Sequence, residues 1–287
     1  MTLPNFKFKS IIYLALFCLV FTNSNAQTQS VVYDNSTNKK DSGFTFLYSI
    51  PGSYTSMKVD ALENVYAISG GSLIKFSPTN KSIQTYNNVK KYGNPSLIDV
   101  NNPFKTLVLF KNYATIVVLD KYLANKNTIN LRKKGIFSVS AIGSSYDNKI
   151  WLFDEQDFKL KKIEEDGSIL MESNDLRITT GEAPMPVRIF DIEGFVYLFD
   201  LNSGFYIFDY YGTFKGILPF TKWQEVLSSN GYFYGLENNK IFSYQIKTKT
   251  FKEYILPQSF NNSTAISTIN GKIYLLKESG IDVFSSN

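Results

Sequence analysis

Histidine is absent from this sequence, and cysteine occurs once, as Cys18. Serine–histidine–aspartate and cysteine–histidine catalysis both need an imidazole as base, so neither can be built in the usual way. Zinc sites of the His/Cys type and haem attachment are excluded with them. No glycine-rich phosphate loop with its lysine is present, nor a GxGxxG turn after a strand. The chain lacks a strong charge of either sign: 30 basic against 25 acidic residues give +5. That is too mild to point to nucleic acid. The longest apolar run, IIYLALFCLVF at 11–21, falls short of the roughly 20 residues that span a bilayer.

What is present begins with that run. Lys7 and Lys9 precede it, and TNSNA ends at Ala26 with small residues before Gln27. This order of basic region, apolar region and small-residue site reads as a secretory signal over 1–26. Removal of the leader takes Cys18 away, so the exported chain is expected to carry no disulfide. Its core alone must hold the fold. Residues 27–42, QTQSVVYDNSTNKKDS, read as a polar, flexible N-terminal arm. The expected location is the periplasm or cell envelope, in association with an outer membrane.

From Gly43 onward short apolar and aromatic runs alternate with turn clusters. One strand is written six times: VYAI (65–68), LVLF (107–110), IWLF (150–153), VYLF (196–199), FYGL (233–236) and IYLL (273–276). A turn residue precedes most copies: Asn64, Asn148, Gly194, Gly231 and Gly271. A third strand follows each copy, and then a polar turn and a fourth. One helical turn is conceivable within 118–131. Four strands in about 40 residues, repeated, mark a propeller. The fold expected is all-β, a six-bladed propeller of four-stranded antiparallel blades over 43–287. The sixth unit ends after its third strand, so GFTFLYSI (43–50) is assigned to complete it and close the ring.

The entries NVY (64–66) and NKIW (148–151), with FDYYGTFKG (208–216), resemble the divergent six-bladed propellers of the NHL and YVTN kind. Signal-bearing propeller proteins of Gram-negative bacteria, themselves of unassigned function, share this character. The WD dipeptide and the paired glycines of kelch repeats are missing. The resemblance covers about 43–287 and implies binding or scaffolding more often than catalysis.

Two groups of loop residues stand out as ligand or partner contacts. The loops between second and third strands place acids at equivalent points: Asp154, Asp200, Glu237 and Glu278. A calcium site of oxygen ligands is the one metal chemistry the composition leaves open, although no metal or cofactor is expected. Lys90, Lys91, Lys111, Arg132, Lys133 and Lys134 make a basic side near blades one to three, with Tyr113 and Phe104 as flat contact area. The longer linker GEAPMPV (181–187), with Pro184 and then Arg188, is the segment best suited to a partner. Asp60, Asp99 and Asp191 fall in first-to-second-strand turns and read as turn chemistry. Trp151 and Trp223 read as core. The function expected is a non-enzymatic binding or scaffold module, monomeric within an envelope complex. Its partner would be an envelope or outer-membrane protein, with a glycan as the other ligand class. The alternative is a carboxylate- or calcium-dependent hydrolase, lyase or lactonase acting on a glycan or small substrate in the channel.

Overall fold

The computed structural model describes residues 43–77, 83–238, 240–260 and 262–286. The leader 1–26, Cys18 and the arm 27–42 lie outside the described residues. Six four-stranded antiparallel sheets follow one another as the blades of a propeller. Their first strands are Ser56–Val59, Leu97–Asn102, Val139–Ser144, Arg188–Ile192, Glu225–Ser229 and Ala265–Ile269. The sixth blade takes its outer strand from the other end of the chain. Phe44–Pro51 runs antiparallel to Gly280–Ser286, from Phe44 opposite Ser286 to Pro51 opposite Gly280. The ring closes as the repeat count requires.

The repeated second strand is apolar on both faces because both faces are covered. Lys105–Phe110 and Ile150–Asp154 are buried at every position. The buried side chains form six clusters, one at each junction between neighbouring blades. Leu107, Leu109 and Ile116 meet Val139, Ile142 and Leu152 between blades two and three. Phe199 and Phe205 meet Trp223 and Phe233 between blades four and five. Each buried aliphatic or aromatic side chain contributes about 1.5–3 kcal/mol relative to exposure, so the junctions carry the fold without any covalent staple.

Tight turns set the register. Glu193–Gly194, Asn230–Gly231 and Asn270–Gly271 all have positive φ at both residues. Paired positive φ matches the twist of the flanking strands in a two-residue hairpin. The segment 118–131, where a helical turn was conceivable, is instead two strands, Thr115–Asp120 and Asn125–Asn130. The second of these is polar because it lies at the outer edge, where only Ile129 turns inward. Helical turns occur in the connections between blades, at Val89–Tyr92, Leu131–Lys134 and Leu176–Thr180. Among the described residues no helix is long and apolar enough to cross a membrane.

Candidate functional site: a turn face and a charged channel

Two surfaces carry the features that chemistry can use. The first is the face made by the first-to-second and third-to-fourth strand turns. Several of these turns repeat one local device. Asp60 Oδ1 accepts from the backbone N–H of Leu62 and Asn64. Asp120 Oδ1 accepts from Tyr122 and Ala124, and Asp209 Oδ1 from Tyr211 and Thr213. Asn102 Oδ1 accepts from Phe104. A side-chain oxygen that caps the N–H two residues on holds the turn without help from a core. In these four the residue two positions on is large, apolar and exposed: Leu62 53%, Phe104 63%, Tyr122 62% and Tyr211 87%; the same cap at Asp166 carries Ser168. Three of the four, Leu62, Phe104 and Tyr122, border one shallow hollow between blades one and two.

On the same face, blades three and four are joined by a polar knot. Asp191 accepts from the Ser145 hydroxyl (2.8 Å), the Tyr146 N–H (3.1 Å), the Trp151 indole N–H (2.9 Å) and the Tyr210 hydroxyl (2.6 Å). Burial and the Asp191 carboxylate push the Tyr210 phenol well up. Tyr146 and Tyr210 stack at 4.7 Å. The Lys162 ammonium lies over Trp151, Tyr146 and Tyr210 at 5.0–5.8 Å from the ring centres and pairs with Asp147 at 2.8 Å. The molecule therefore fills its own aromatic cage. Lys162→Met is expected to destabilise by about 1–2 kcal/mol, since a desolvated cation over aromatic faces contributes on that scale. Urea melts followed by tryptophan emission would measure it.

The second surface is the channel bounded by the six first strands, which holds a cavity of ≈ 320 Å³. Lys58 of blade one meets Glu225 of blade five at 2.8 Å, and Arg188 of blade four approaches the same Glu225 oxygen at 3.5 Å. Burial alone would raise the Glu225 carboxyl, but Lys58 and Arg188 outweigh it and hold the group below its ordinary value of 4.5. Burial, with Arg188 beside it, lowers the Lys58 ammonium. Asp99 accepts from the Ser144 N–H (3.0 Å) and hydroxyl (2.5 Å) across to blade three. Burial nevertheless raises its carboxyl.

A carboxyl with a depressed folded pKa adds stability above its unfolded value and loses it as pH falls through the folded value. Glu225 is thus expected to steepen acid unfolding below pH 4.5. Thermal melts of wild type and Glu225→Gln against pH should converge on acidification; parallel curves would contradict this.

The residues chosen from sequence divide between structural and exposed positions. Asp154 is 1% exposed; it bonds Lys161 at 2.7 Å and caps the N–H of Gln156. Asp200 is also buried. It accepts from the N–H groups of Asn202 and Met185 and so ties the 181–187 linker to the sheet. Glu237 is half-buried and Glu278 exposed. Among the described residues no three Asp, Glu, His or Cys side chains group so as to hold a metal ion. Lys111 pairs with Glu155 at 3.0 Å, and Arg132 donates to the Asn112 carbonyl. Lys133 and Lys134 are exposed, and Tyr113 is half exposed against Tyr92. Pro184 is buried, whereas its neighbour Met185 is exposed. Arg188 stands in the channel. Phe104 does not join Lys111 and Tyr113: it precedes the strand Lys105–Phe110, and they follow it. Lys58 and Glu225 were not singled out from sequence. A charged residue within an apolar inner strand, as in SMKV and EVLSS, is the signal that marks them.

The arrangement defines a six-bladed propeller with a polar channel and an aromatic turn face. No protein-family model and no curated protein matches the chain. Solved structures do. Virginiamycin B lyase from Staphylococcus aureus superposes with a TM-score of 0.58 at 16% identity, covering 85% of this chain and 84% of that one. A gluconolactonase from Xanthomonas campestris gives 0.58 at 9% identity, over 85% and 90%. The Pan2 WD40 domain of Neurospora crassa gives 0.56 at 10%, over 82% and 89%. At these identities the likeness shows the fold alone.

Proposed function

We propose that this protein is an exported, non-enzymatic binding module of the bacterial cell envelope that docks a partner protein through its turn face. The carrying observation is the set of exposed apolar tips, Leu62, Phe104, Tyr122 and Tyr211, each presented by the same side-chain-capped turn. A repeated device that spends its hydrogen bonds on displaying apolar side chains suits recognition. The basic rim of Lys111, Arg132, Lys133 and Lys134, with the 181–187 linker, is the second face available to a partner.

The chemistry of the channel supports binding over turnover. One of the similar lyases is described with quinupristin in a catalytically inactive histidine-to-alanine form, and this chain has no histidine to take such a part. Asp99, Asp191 and Glu225 are each engaged by neighbouring donors, as are Asp154 and Asp200 in the loops. The reading is tested by affinity capture from gently solubilised envelopes. A stoichiometric partner is expected with wild type and with a rim variant (Arg132→Ser, Lys133→Ser), and its loss with Phe104→Ser, Tyr122→Ser, Tyr211→Ser. Loss in the rim variant alone would move the site to the other face. Recovery of the protein alone would reject the docking role.

A further inference from the structure

We propose that the channel cavity is a binding site for a small organic monocarboxylate bearing hydroxyl groups, its carboxylate seated on Arg188 and Lys58. The proposal rests on the preceding reading only in taking the ligand to be bound and released unchanged.

The donors and acceptors of the cavity do not balance. Its acids are full. Asp60 accepts four bonds, from the N–H groups of Leu62 and Asn64, the Asn64 amide and the Tyr66 hydroxyl. Asp191 accepts four, and Asp99 holds Ser144 by two. Its cations are not full. An ammonium offers three donors and a guanidinium five. Lys58 donates to Glu225. Arg188 Nη1 donates to the Val187 carbonyl at 3.1 Å, and Nη2 stands 3.5 Å from the same Glu225 oxygen that Lys58 uses. Arg188 Nε is buried with no hydrogen-bond partner among the described residues. Two cations converge on one carboxylate oxygen, and the Arg188 Nε–H has no acceptor, so the donors here outnumber the acceptors they use. A planar carboxylate matches the geometry of an under-used guanidinium fork.

Register places Arg188 and Glu225 at one end of the channel, and the Lys58 side chain reaches them from two positions further along. Arg188 pairs with Phe199, next to the loop after Asp200, and Glu225 pairs with Leu236. Away from that end the walls carry hydroxyls and amides: Ser228, Ser229, Asn230, Ser267, Thr268 and Asn101. These groups match ligand hydroxyls. Asp60, Asp99 and Asp191 line the same cavity. They oppose a doubly charged phosphate more than a single carboxylate, since like charge in a desolvated channel is repelled. The cavity of ≈ 320 Å³ falls at the small end of the range for small-molecule sites.

The test is calorimetric titration of the purified protein with sodium glucuronate. Glucose, acetate and inorganic phosphate serve as probes of hydroxyls alone, charge alone and double charge. Saturable one-to-one binding of glucuronate is expected, with the other three weaker by about tenfold or more, the scale of one charge-assisted contact. Arg188→Gln and Lys58→Met should each weaken binding by about tenfold, and Glu225→Gln should strengthen it by about the same factor by freeing both cations. Circular dichroism melts confirm that each variant is folded. A gain of affinity in Glu225→Gln cannot come from damage, so that arm decides the matter if the others unfold. No saturable heat with glucuronate, equal binding of phosphate, or unchanged affinity in Glu225→Gln would overturn the proposal. NMR of the recovered ligand separates the two readings: altered glucuronate would reject the non-enzymatic role and leave the site standing.

Discussion

Replacing Asp191 with alanine is expected to destabilise the propeller by about 2–3 kcal/mol, because this half-buried carboxylate is the acceptor for the buried Trp151 indole and three further donors. The substitution removes little apolar contact. Its effect comes from what remains: Ser145, Tyr146, Trp151 and Tyr210 each lose an acceptor. Trp151 is fully buried, so its indole N–H cannot turn to solvent. An unpaired buried donor costs about 1–3 kcal/mol, and of the four residues Trp151 and Ser145 are buried. Asp191→Asn keeps one carbonyl oxygen and should lose about half as much. Equilibrium unfolding in urea, followed by tryptophan emission, gives both values. A loss below about 1 kcal/mol for the alanine variant, the scale of an ordinary surface change, would show that the four donors are re-satisfied by relaxation and that the knot is not what joins blades three and four.

The second large effect is expected at Gly235. In the other blades the equivalent place in the second strand holds Ala67, Leu109, Leu152, Leu198 or Leu275. In blade five the indole of Trp223 fills that space. A Cβ on Gly235 would stand 1.8 Å from Trp223 Cδ2, which no rotamer adjustment of a methyl can relieve. Trp223 is itself held by Phe220, stacked at 4.6 Å, and by Phe242. Gly235→Ala should therefore destabilise by about 3 kcal/mol or more, the upper end for overpacking. The double variant Gly235→Leu, Trp223→Ala restores the pattern of the other blades. It should be more stable than the sum of its single changes by at least 1 kcal/mol, as expected for residues in contact. Additive single effects would mean that the two positions are independent.

The architecture was legible because repetition averages out local ambiguity. Six copies of one strand, each with its hairpin turn, outweigh any single doubtful segment such as 118–131. The closing strand was legible from an unpaired sixth unit. The sites were harder to see, for a physical reason. Asp154 and Asp200 occupy equivalent loop positions, which suggests a shared ligand, but each is consumed locally by Lys161 or by backbone N–H groups. Asp99 and Asp191 reach donors on another blade, about one repeat away in sequence. Turn chemistry accounts for Asp60 but not for those two. Lys58 and Glu225 come from blades one and five, and only closure of the ring brings them together. The exposed tips were visible in principle: an Asp or Asn two residues before a large apolar residue, in a turn, is a local pattern.

Closure by the first strand also sets a clock. Phe44–Pro51 leaves the ribosome before any blade exists, and its partner Gly280–Ser286 follows the other strands of all six blades. At about 5–20 residues per second this separation lasts roughly 10–50 s. Throughout that interval a strand carrying Phe44, Phe46 and Tyr48 has no edge to pair with, and the sixth blade has none to offer. Nucleation can begin within any early hairpin, but the last junction forms only once Gly280–Ser286 has emerged. The vulnerable species of this protein is therefore an open arc with one sticky end on each side, and two such arcs can exchange first strands as readily as one can close on itself. Dilution during refolding favours the ring; crowding favours the exchanged pair.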